Sequence, residues 1–245
     1  MSGWKAISPN ASIEAASLLK TVAHCCSVRP AALLEVAAFC GRRKPALRLV
    51  LDEPDAVALK TAASLLGIGV ADTRIGLQHR GNSWSNVVSA EADAEATLLV
   101  LSREFPASDL LKAEQENAAD AGALLGYPDC CVKAITELNI AGPSWSLVLL
   151  RHHNFGTPVD ARLNRFAAEC GRIGLIGEMF PCSLSCAKAK AYAQMLYETT
   201  IELGLSRLAQ QARIDALSPV RISGHGEVVA ASFDDATAIH FTDWS

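Results

Sequence analysis

Four of the eight cysteines in this 245-residue chain lie in two short stretches, each of which leads from a proline into an apolar, helix-like pattern. The first stretch, LLGYPDCCVKAI (124–135), contains the adjacent residues Cys130 and Cys131. The second stretch, MFPCSLSCAKAKAYAQML (179–196), contains Cys182 and Cys186. We expect the fold to bring the two stretches together as the halves of one site.

The spacing of the cysteines within each stretch limits how both sulfurs can bind the same metal ion. Residues four apart lie on one face of a helix, about 5 to 6 Å apart at Cβ, so a helix beginning at Cys182 would present both sulfurs of the second stretch to one side. Neighbouring side chains on a helix point about 100° apart, so Cys130 and Cys131 can bind one ion only if one of them occupies the non-helical cap. At a helix N-terminus the dipole favours the thiolate, which is the form that binds metal.

Four thiolates suit two kinds of metal centre. Zinc takes a tetrahedral set, usually with C-x₂₋₄-C spacing in each half, and only Cys182 and Cys186 have that spacing. An iron–sulfur cluster accommodates adjacent cysteines more readily, because each thiolate binds a different iron. We therefore expect an iron–sulfur cluster of the 4Fe-4S type, with zinc as the alternative, bound by Cys130, Cys131, Cys182 and Cys186.

Two interpretations without a metal stay open for these residues. Free cysteine is often buried as a small hydrophobic side chain, which is our interpretation of Cys25, Cys26, Cys40 and Cys170 in their alanine-rich helical patterns. Alternatively, either pair of the two stretches could cycle to a disulfide. Redox pairs usually have the spacing C-x-x-C, which neither pair has.

The motifs LGYPDCC and PCSLSC resemble the Gly-Tyr-Pro-x-Cys-Cys and Pro-Cys-Ser-x-x-Cys signatures of archaeal and bacterial proteins, among them the family designated domain of unknown function 483. The resemblance covers roughly residues 120 to 200. It implies that the four cysteines belong together, and it implies no substrate. Phe180 stands before the Pro-Cys where we expect a histidine, so no ligand or acid role is carried over to this position.

Candidate acid–base and anion-binding groups lie around the cysteines in the sequence. His152 and His153 could include a general acid, a general base or an extra ligand, because imidazole titrates near neutral pH. Tyr127, in the turn before the first pair, and Glu178, shortly before the second, are the other candidates for catalytic roles. The candidate anion-binding residues are all basic: Arg42, Arg43, Lys44 and Arg151.

The remaining pattern predicts a mixed α/β (α+β) fold. The strand-length apolar runs ALRLVLDE, IGVADTRIG and EATLLVLSRE alternate with helical segments, which indicates a β-α-β pattern and a small open sheet with packed helices. Helical patterns follow, including DARLNRFAAECGRIGLIGEM and a long segment after Cys186, and VRISGHGEVVAASF predicts a C-terminal β-hairpin. We expect one compact unit over 1–245, or a division into an α/β part (1–105) and a helical metal-binding part (106–245).

Composition and charge narrow the choice of partners. Half of the residues are hydrophobic, and no apolar run reaches the ~18 residues of a membrane span. The N-terminal residues have no secretion pattern, so we expect a cytoplasmic protein without membrane contact. The net charge is −4, and the basic cluster GRRKPALR has no interleaved aromatic residues for base stacking, which disfavours nucleic acid as a partner.

The expected function is that of an iron–sulfur enzyme acting on a small-molecule substrate, either an anionic metabolite or a modified nucleoside, with an electron donor as a further partner. An open iron in such a cluster would act as a Lewis acid. The alternatives are a non-enzymatic interaction module stabilised by zinc or a closed cluster, and a thiol–disulfide oxidoreductase. The sequence lacks the glycine motifs of P-loop ATPases and dinucleotide dehydrogenases.

Overall fold

The computed structural model describes residues 12–80, 83–87, 94–116, 118–141, 159–223, 228–235 and 238–244. Its helices are α1 (Ile13–His24), α2 (Leu33–Cys40), α3 (Glu53–Leu65), α4 (Ala107–Glu116), α5 (Ala118–Leu124), α6 (Asp129–Ala141), α7 (Phe166–Glu169), α8 (Ala187–Glu202) and α9 (Ser206–Ala216). Its strands are β1 (Ala46–Leu51), β2 (Gly69–Arg80), β3 (Ser83–Val87), β4 (Ala94–Ser102), β5 (Val159–Asp160), β6 (Val220–Ile222), β7 (Val228–Ala230) and β8 (Phe241–Thr242). These elements confirm the predicted mixed α+β class.

Four strands form one antiparallel sheet in the order β1-β4-β2-β3. The strand β4 pairs with both β1 and β2, so that Ser102 lies opposite Ala46 on one side and Gly69 on the other. The strands β1 and β2 are therefore parallel to each other, although β4 lies between them. The three strands predicted from apolar runs are present, whereas β3 has the polar sequence SWSNV and no apolar run to indicate it.

Helices cover both faces of the sheet. Leu47, Leu49 and Leu99 pack with residues of α1, α2 and α3 in the main core. Ala46 and Val100, on the opposite face, pack with residues of α4 and α5 in a second cluster. Because β1 and β4 bury both faces, their sequences are nearly continuous apolar runs instead of alternating ones.

The helix α2 is the central helix of the structure, and all eight of its residues are buried. Its sequence, LLEVAAFC, is apolar on every side except at Glu35, as expected for a helix surrounded by protein. The C-terminal end of α2 can approach α8 closely because Gly41, the residue after α2, has no side chain. A Cβ at this position would lie 2.5 Å from Cγ2 of Thr199 on α8. This packing places α2 directly against one of the two helices that carry the cysteines.

The prediction of a helix over DARLNRFAAECGRIGLIGEM is wrong for most of that segment. It contains a 3₁₀ turn (Ala161–Leu163), the four-residue α7 and then turns. Gly171 and Gly177 have positive φ values of 71° and 66°, which interrupt helical geometry. The predicted long helix after Cys186 is likewise divided into α8 and α9 at Gly204, where φ is 80°.

The C-terminal residues form the predicted pair of hairpin strands. The strands β6 and β7 pair antiparallel, while residues 224–227 of the Gly-His-Gly turn lie outside the described residues. The last strand, β8, pairs parallel with β5, with Phe241 opposite Val159 and Thr242 opposite Asp160. Within the described ranges, every helix is too short or too polar to cross a membrane. The division at residues 105 and 106 stays a prediction.

Candidate metal centre

Four cysteine sulfurs converge between the N-termini of α6 and α8. The Sγ atoms of Cys130, Cys131, Cys182 and Cys186 all lie within 4.8 Å of one another. The Sγ of Cys186 lies 3.7 Å from that of Cys130 and 3.8 Å from that of Cys131, and the adjacent pair is 3.9 Å apart. All four residues are free thiols. The structure thus confirms that the two stretches form one group of cysteines that could hold a metal ion.

The first pair of sulfurs comes from the first turn of α6. This helix begins at Asp129, and the backbone N–H groups of Cys131 and Val132 donate to the carbonyl of Pro128 at 2.8 and 3.0 Å. Both cysteines are therefore helical, and neither occupies the non-helical cap. Cα–Cβ bonds in a helix tilt toward its N-terminus, so neighbouring side chains in the first turn can converge on a point beyond the helix end.

The second pair of sulfurs lies on a loop and a helix cap. The helix α8 begins at Ala187, so Cys186 is its N-cap and Cys182 lies in irregular backbone before it. The prediction of a helix beginning at Cys182 is therefore wrong. In this loop the hydroxyl of Ser183 accepts a hydrogen bond from the N–H of Ser185, and such side-chain bonds compete with helix formation.

Backbone N–H groups point at two of the sulfurs. The N–H of Cys182 donates to Sγ of Cys131, and the N–H of Ala189 donates to Sγ of Cys186, both at 3.4 Å. The bond from Cys182 joins the two halves of the group, and both bonds stabilise negative charge on sulfur. They therefore suit sulfurs that are ionised when a metal ion is bound.

Burial opposes ionisation of these thiols in the absence of a cation. Cys131 is 1% exposed, and its burial raises the pKa of its thiol. Burial together with the neighbouring thiols of Cys186 and Cys130 raises the pKa of Cys182 to about 11. Burial alone would raise the pKa of Cys186. The hydrogen bonds from the N–H of Ala189 and from the neighbouring thiols outweigh burial, so the pKa of Cys186 is lowered. A bound metal ion deprotonates its coordinating thiols outright, so metal binding would reverse the effect of burial.

The buried carboxylate of Glu35 on α2 connects the segments that carry the cysteines. Glu35 is 1% exposed and accepts hydrogen bonds from the hydroxyls of Tyr127 and Tyr192 at 3.2 and 3.1 Å. It also accepts one from the backbone N–H of Glu178 at 3.0 Å. Tyr127 precedes α6, Tyr192 lies on α8, and Glu178 lies on the loop that leads to Cys182. Glu35 therefore fixes the relative positions of both halves of the site.

Lys44 is the buried counter-ion of this carboxylate. Its Nζ lies 3.7 Å from Oε2 of Glu35, donates to the carbonyl of Leu125 at 2.6 Å and lies 4.3 Å from the ring centroid of Tyr127. Burial lowers the pKa of Lys44 to about 8, although the charge of Glu35 opposes this shift. The side chain is 1% exposed, so an anion in solvent cannot reach it. A single acidic residue within the apolar helix sequence is the signal that could have indicated a buried ion pair.

The other predicted site residues lie in different environments. Arg42 and Arg43 are at the surface, paired with Glu14 and Glu202. Glu178, one of the candidates for a catalytic role, is buried. Three of the predicted residues, Arg151, His152 and His153, lie outside the described residues. The catalytic and anion-binding roles expected for these residues therefore stay predictions.

Gly177, beside Glu178, has no room for a side chain. Its φ is +66°, and a Cβ there would lie 2.5 Å from Oε1 of Glu35. We expect Gly177→Ala to lower the free energy of unfolding by about 2 to 5 kcal/mol. A left-handed backbone costs about 1 to 2 kcal/mol for a residue with a Cβ, and overpacking adds about 1 to 3 kcal/mol. Urea denaturation measures the change.

Gly171→Ala is the matched control for this prediction. Gly171 has nearly the same backbone geometry, with φ +71°, but no described atom lies within 4 Å of its added Cβ. We expect this variant to lose only the backbone contribution of about 1 to 2 kcal/mol. Equal losses in the two variants would contradict a steric conflict with Glu35.

Comparison of the chain with protein-family models, with curated proteins and with solved structures finds no match. The resemblance of the two cysteine motifs to domain of unknown function 483 therefore stays a prediction. The chemistry of the site rests on the geometry of its own residues.

Proposed function

We propose that the four cysteines bind a single tetrahedral zinc ion, which holds the N-termini of α6 and α8 together. The separation of the sulfurs carries this proposal. Zinc–sulfur bonds are about 2.3 Å long, so the sulfurs of a tetrahedral site lie about 3.8 Å apart. Three of the pairs in this group are 3.7, 3.8 and 3.9 Å apart.

A 4Fe-4S cluster would need a wider group of sulfurs. Each thiolate of such a cluster binds a different iron, so the sulfurs are spread to roughly 6 Å. In this protein all four sulfurs lie within 4.8 Å of one another. To bind a cluster, the loop of Cys182 would have to move away from α6, which would break the N–H bond from Cys182 to Sγ of Cys131. The iron–sulfur enzyme expected from the sequence is therefore the competing hypothesis.

Four protein thiolates complete the coordination of a zinc ion and leave no position for a substrate. Zinc sites of this closed type contribute to folding, whereas catalytic zinc sites keep one position open. The ion would join the first turn of α6 to a loop and a helix cap that lie more than 50 residues later in the sequence. We therefore propose that the centre stabilises the fold, as in the zinc-stabilised module considered from the sequence.

Metal and sulfide analysis of anaerobically purified protein tests this proposal. The cells are supplied with both iron and zinc, and we expect one zinc ion per chain and no acid-labile sulfide. Reconstitution with Co²⁺ should give the strong visible bands of a tetrahedral thiolate site. Iron with stoichiometric sulfide would overturn the proposal in favour of the cluster, and a protein without metal would overturn both.

Two serine variants locate the metal. Cys186→Ser removes one of the proposed ligands and is expected to abolish stoichiometric zinc binding. Cys170→Ser is the matched control, because Cys170 is also a free thiol but lies outside the group of four. It should retain one zinc ion per chain. Loss of zinc in both variants, or in neither, would contradict the proposed ligand set.

A further inference from the structure

A cavity of about 280 Å³ lies beside the cysteine group, and Cys131 forms part of its wall. Most of the wall is apolar and includes Leu125, Val132 and Ile135, which lie on α6 or just before it. Ligand pockets in proteins have volumes from about 300 Å³ upward and combine a largely apolar wall with a few polar groups that orient the ligand. The cavity therefore has the size and the lining of a site for a small, ring-sized molecule.

Arg48 on β1 supplies this wall with hydrogen-bond donors. Its side chain is 27% exposed, and its Nη1 donates to both carboxylate oxygens of Glu114 on α4, at 3.4 and 3.1 Å. Its Nε and Nη2 have no acceptor in the described part of the chain, yet they are not among the fully buried atoms without a partner, such as Nε of Arg165. Both atoms therefore keep accessible surface, and the cavity is the space that Arg48 lines.

The free edge of this guanidinium group fits a carboxylate better than other acceptors. The N–H of Nε and one N–H of Nη2 form a planar fork, so they can donate to both oxygens of a carboxylate at once. An amide carbonyl or a hydroxyl offers one neutral oxygen, whereas a carboxylate offers two that share a negative charge. Charge-assisted hydrogen bonds are roughly twice as strong as neutral ones, so the free edge of Arg48 favours an anionic ligand.

The carboxylates in the cavity wall leave this edge of Arg48 free. Glu114 is bound at Nη1 only. Glu178 forms its ion pairs with Arg29 and Arg165, at 3.0 and 3.9 Å from its Oε2, and its Oε1 is fully buried. The charge that opposes an anionic ligand most directly is therefore that of Glu114, which would share Arg48 with the ligand.

We infer that this cavity binds a small monocarboxylate with an apolar, ring-sized body, whose carboxylate accepts hydrogen bonds from Nε and Nη2 of Arg48. The apolar body would lie against Leu125, Val132 and Ile135. This inference goes beyond the structural role of the metal centre and does not depend on which metal is bound. It gives the protein a site for an anionic ligand next to the centre, at an arginine that the sequence pattern did not indicate.

Four small molecules test the inference on the full chain as purified. Benzoate is the ring-sized carboxylate, benzamide is its neutral analogue, benzylammonium is the cation, and acetate has the carboxylate without the ring. Ligand-observed NMR titration measures the affinity of each. We expect benzoate to bind and the other three to bind at least about tenfold more weakly. Absence of benzoate binding would overturn the inference. Equal binding of benzamide or of acetate would also overturn it, because the carboxylate or the apolar wall would then contribute nothing.

Two conservative variants locate the binding site. Arg48→Lys keeps a positive charge beside Glu114 but replaces the planar fork by a point charge, so we expect the affinity for benzoate to fall at least about tenfold. Arg207→Lys is the matched control, because Arg207 is exposed on α9 and is not part of the wall. It should bind benzoate as the wild type does. Unchanged affinity in Arg48→Lys, or equal losses in both variants, would place the ligand elsewhere and overturn the inference.

Glu114→Gln tests the inference in the opposite direction, and it does so even if Arg48→Lys fails to fold. The amide carbonyl of Gln still offers an acceptor to Nη1 of Arg48, but the negative charge that the ligand must share Arg48 with is removed. We expect the affinity for benzoate to rise at least about threefold, and the weak affinity for benzamide to stay unchanged. An affinity for benzoate that is unchanged or reduced would overturn the inference, because a purely structural role of Glu114 would not strengthen binding.

Discussion

Cys131→Ser is expected to abolish stoichiometric zinc binding and to lower the free energy of unfolding by about 4 kcal/mol or more. The thiol is 1% exposed, and its Sγ lies 3.8 and 3.9 Å from two other sulfurs of the group. Because the ligands of a structural site are brought together only in the folded chain, the free energy of metal binding contributes directly to folding. Thermal unfolding followed by circular dichroism, with and without a chelator, measures the loss.

Cys40→Ser is a control that separates the metal from the effect of burying a hydroxyl. Cys40 is 3% exposed, but it lies outside the group of four. We expect this variant to lose about 1 to 3 kcal/mol, to retain its zinc and to remain sensitive to the chelator. Cys131→Ser should no longer respond to the chelator. A wild-type protein whose unfolding temperature is unchanged by chelation would contradict the structural role of the ion.

The sequence predicts those strands and helices whose apolar residues in the sequence are also the residues that are buried in the structure. Strands buried on both faces, such as β1 and β4, have apolar runs that are visible without a structure. The strand β3 has no such run, and its place in the sheet depends on pairing with β2. Between 160 and 179, helix-favouring residues are interrupted by Gly171 and Gly177, whose positive φ values are set by the surrounding structure. Helical pattern alone therefore overestimates the length of that helix.

The cysteine group was predictable because each half has its own local signal. A proline before a cysteine at the start of a helical pattern occurs twice, and the convergence of the two halves follows from the need of a metal for several thiolates. The supporting residues have no comparable signal. Glu35 contacts Tyr127 and Tyr192, which are 92 and 157 residues away, and such pairings depend on the tertiary fold. The cavity likewise draws its wall from several elements that are distant in sequence.

Glu35→Ala is expected to lower the free energy of unfolding by about 3 to 5 kcal/mol, because it breaks a buried ion pair and leaves the charge of Lys44 uncompensated. The hydroxyls of Tyr127 and Tyr192 and the N–H of Glu178 lose their acceptor as well. These groups position the segments that carry the cysteines, so we also expect zinc affinity to fall about tenfold or more. Urea denaturation and competition with a chromophoric chelator measure the two effects.

The pH dependence of Glu35→Gln distinguishes an electrostatic role from a purely steric one. Burial lowers the pKa of Lys44 from its ordinary value of 10.5 to about 8, and removal of the Glu35 charge would lower it further. At pH values between the pKa of Lys44 in the folded chain and its pKa in the unfolded chain, the unfolded chain binds more protons. The free energy of unfolding therefore rises with pH in this range. The stabilisation that comes from deprotonated Lys44 is fully present above the pKa of this residue in the unfolded chain. It is lost as the pH falls through the pKa of Lys44 in the folded chain. In Glu35→Gln the rise begins at a lower pH than in the wild type.

The stability deficit of Glu35→Gln relative to the wild type should therefore shrink as the pH is raised from 6 to 8. Replacing Lys44 as well, in the double variant Glu35→Gln and Lys44→Met, removes the titrating group while keeping an apolar stem of similar length. The deficit of this double variant should not shrink over the same range, because the double variant has no buried ammonium that could lose its proton. A deficit of Glu35→Gln that stays constant between pH 6 and 8 would show that Glu35 acts through its hydrogen bonds and packing, and not through the charge of Lys44.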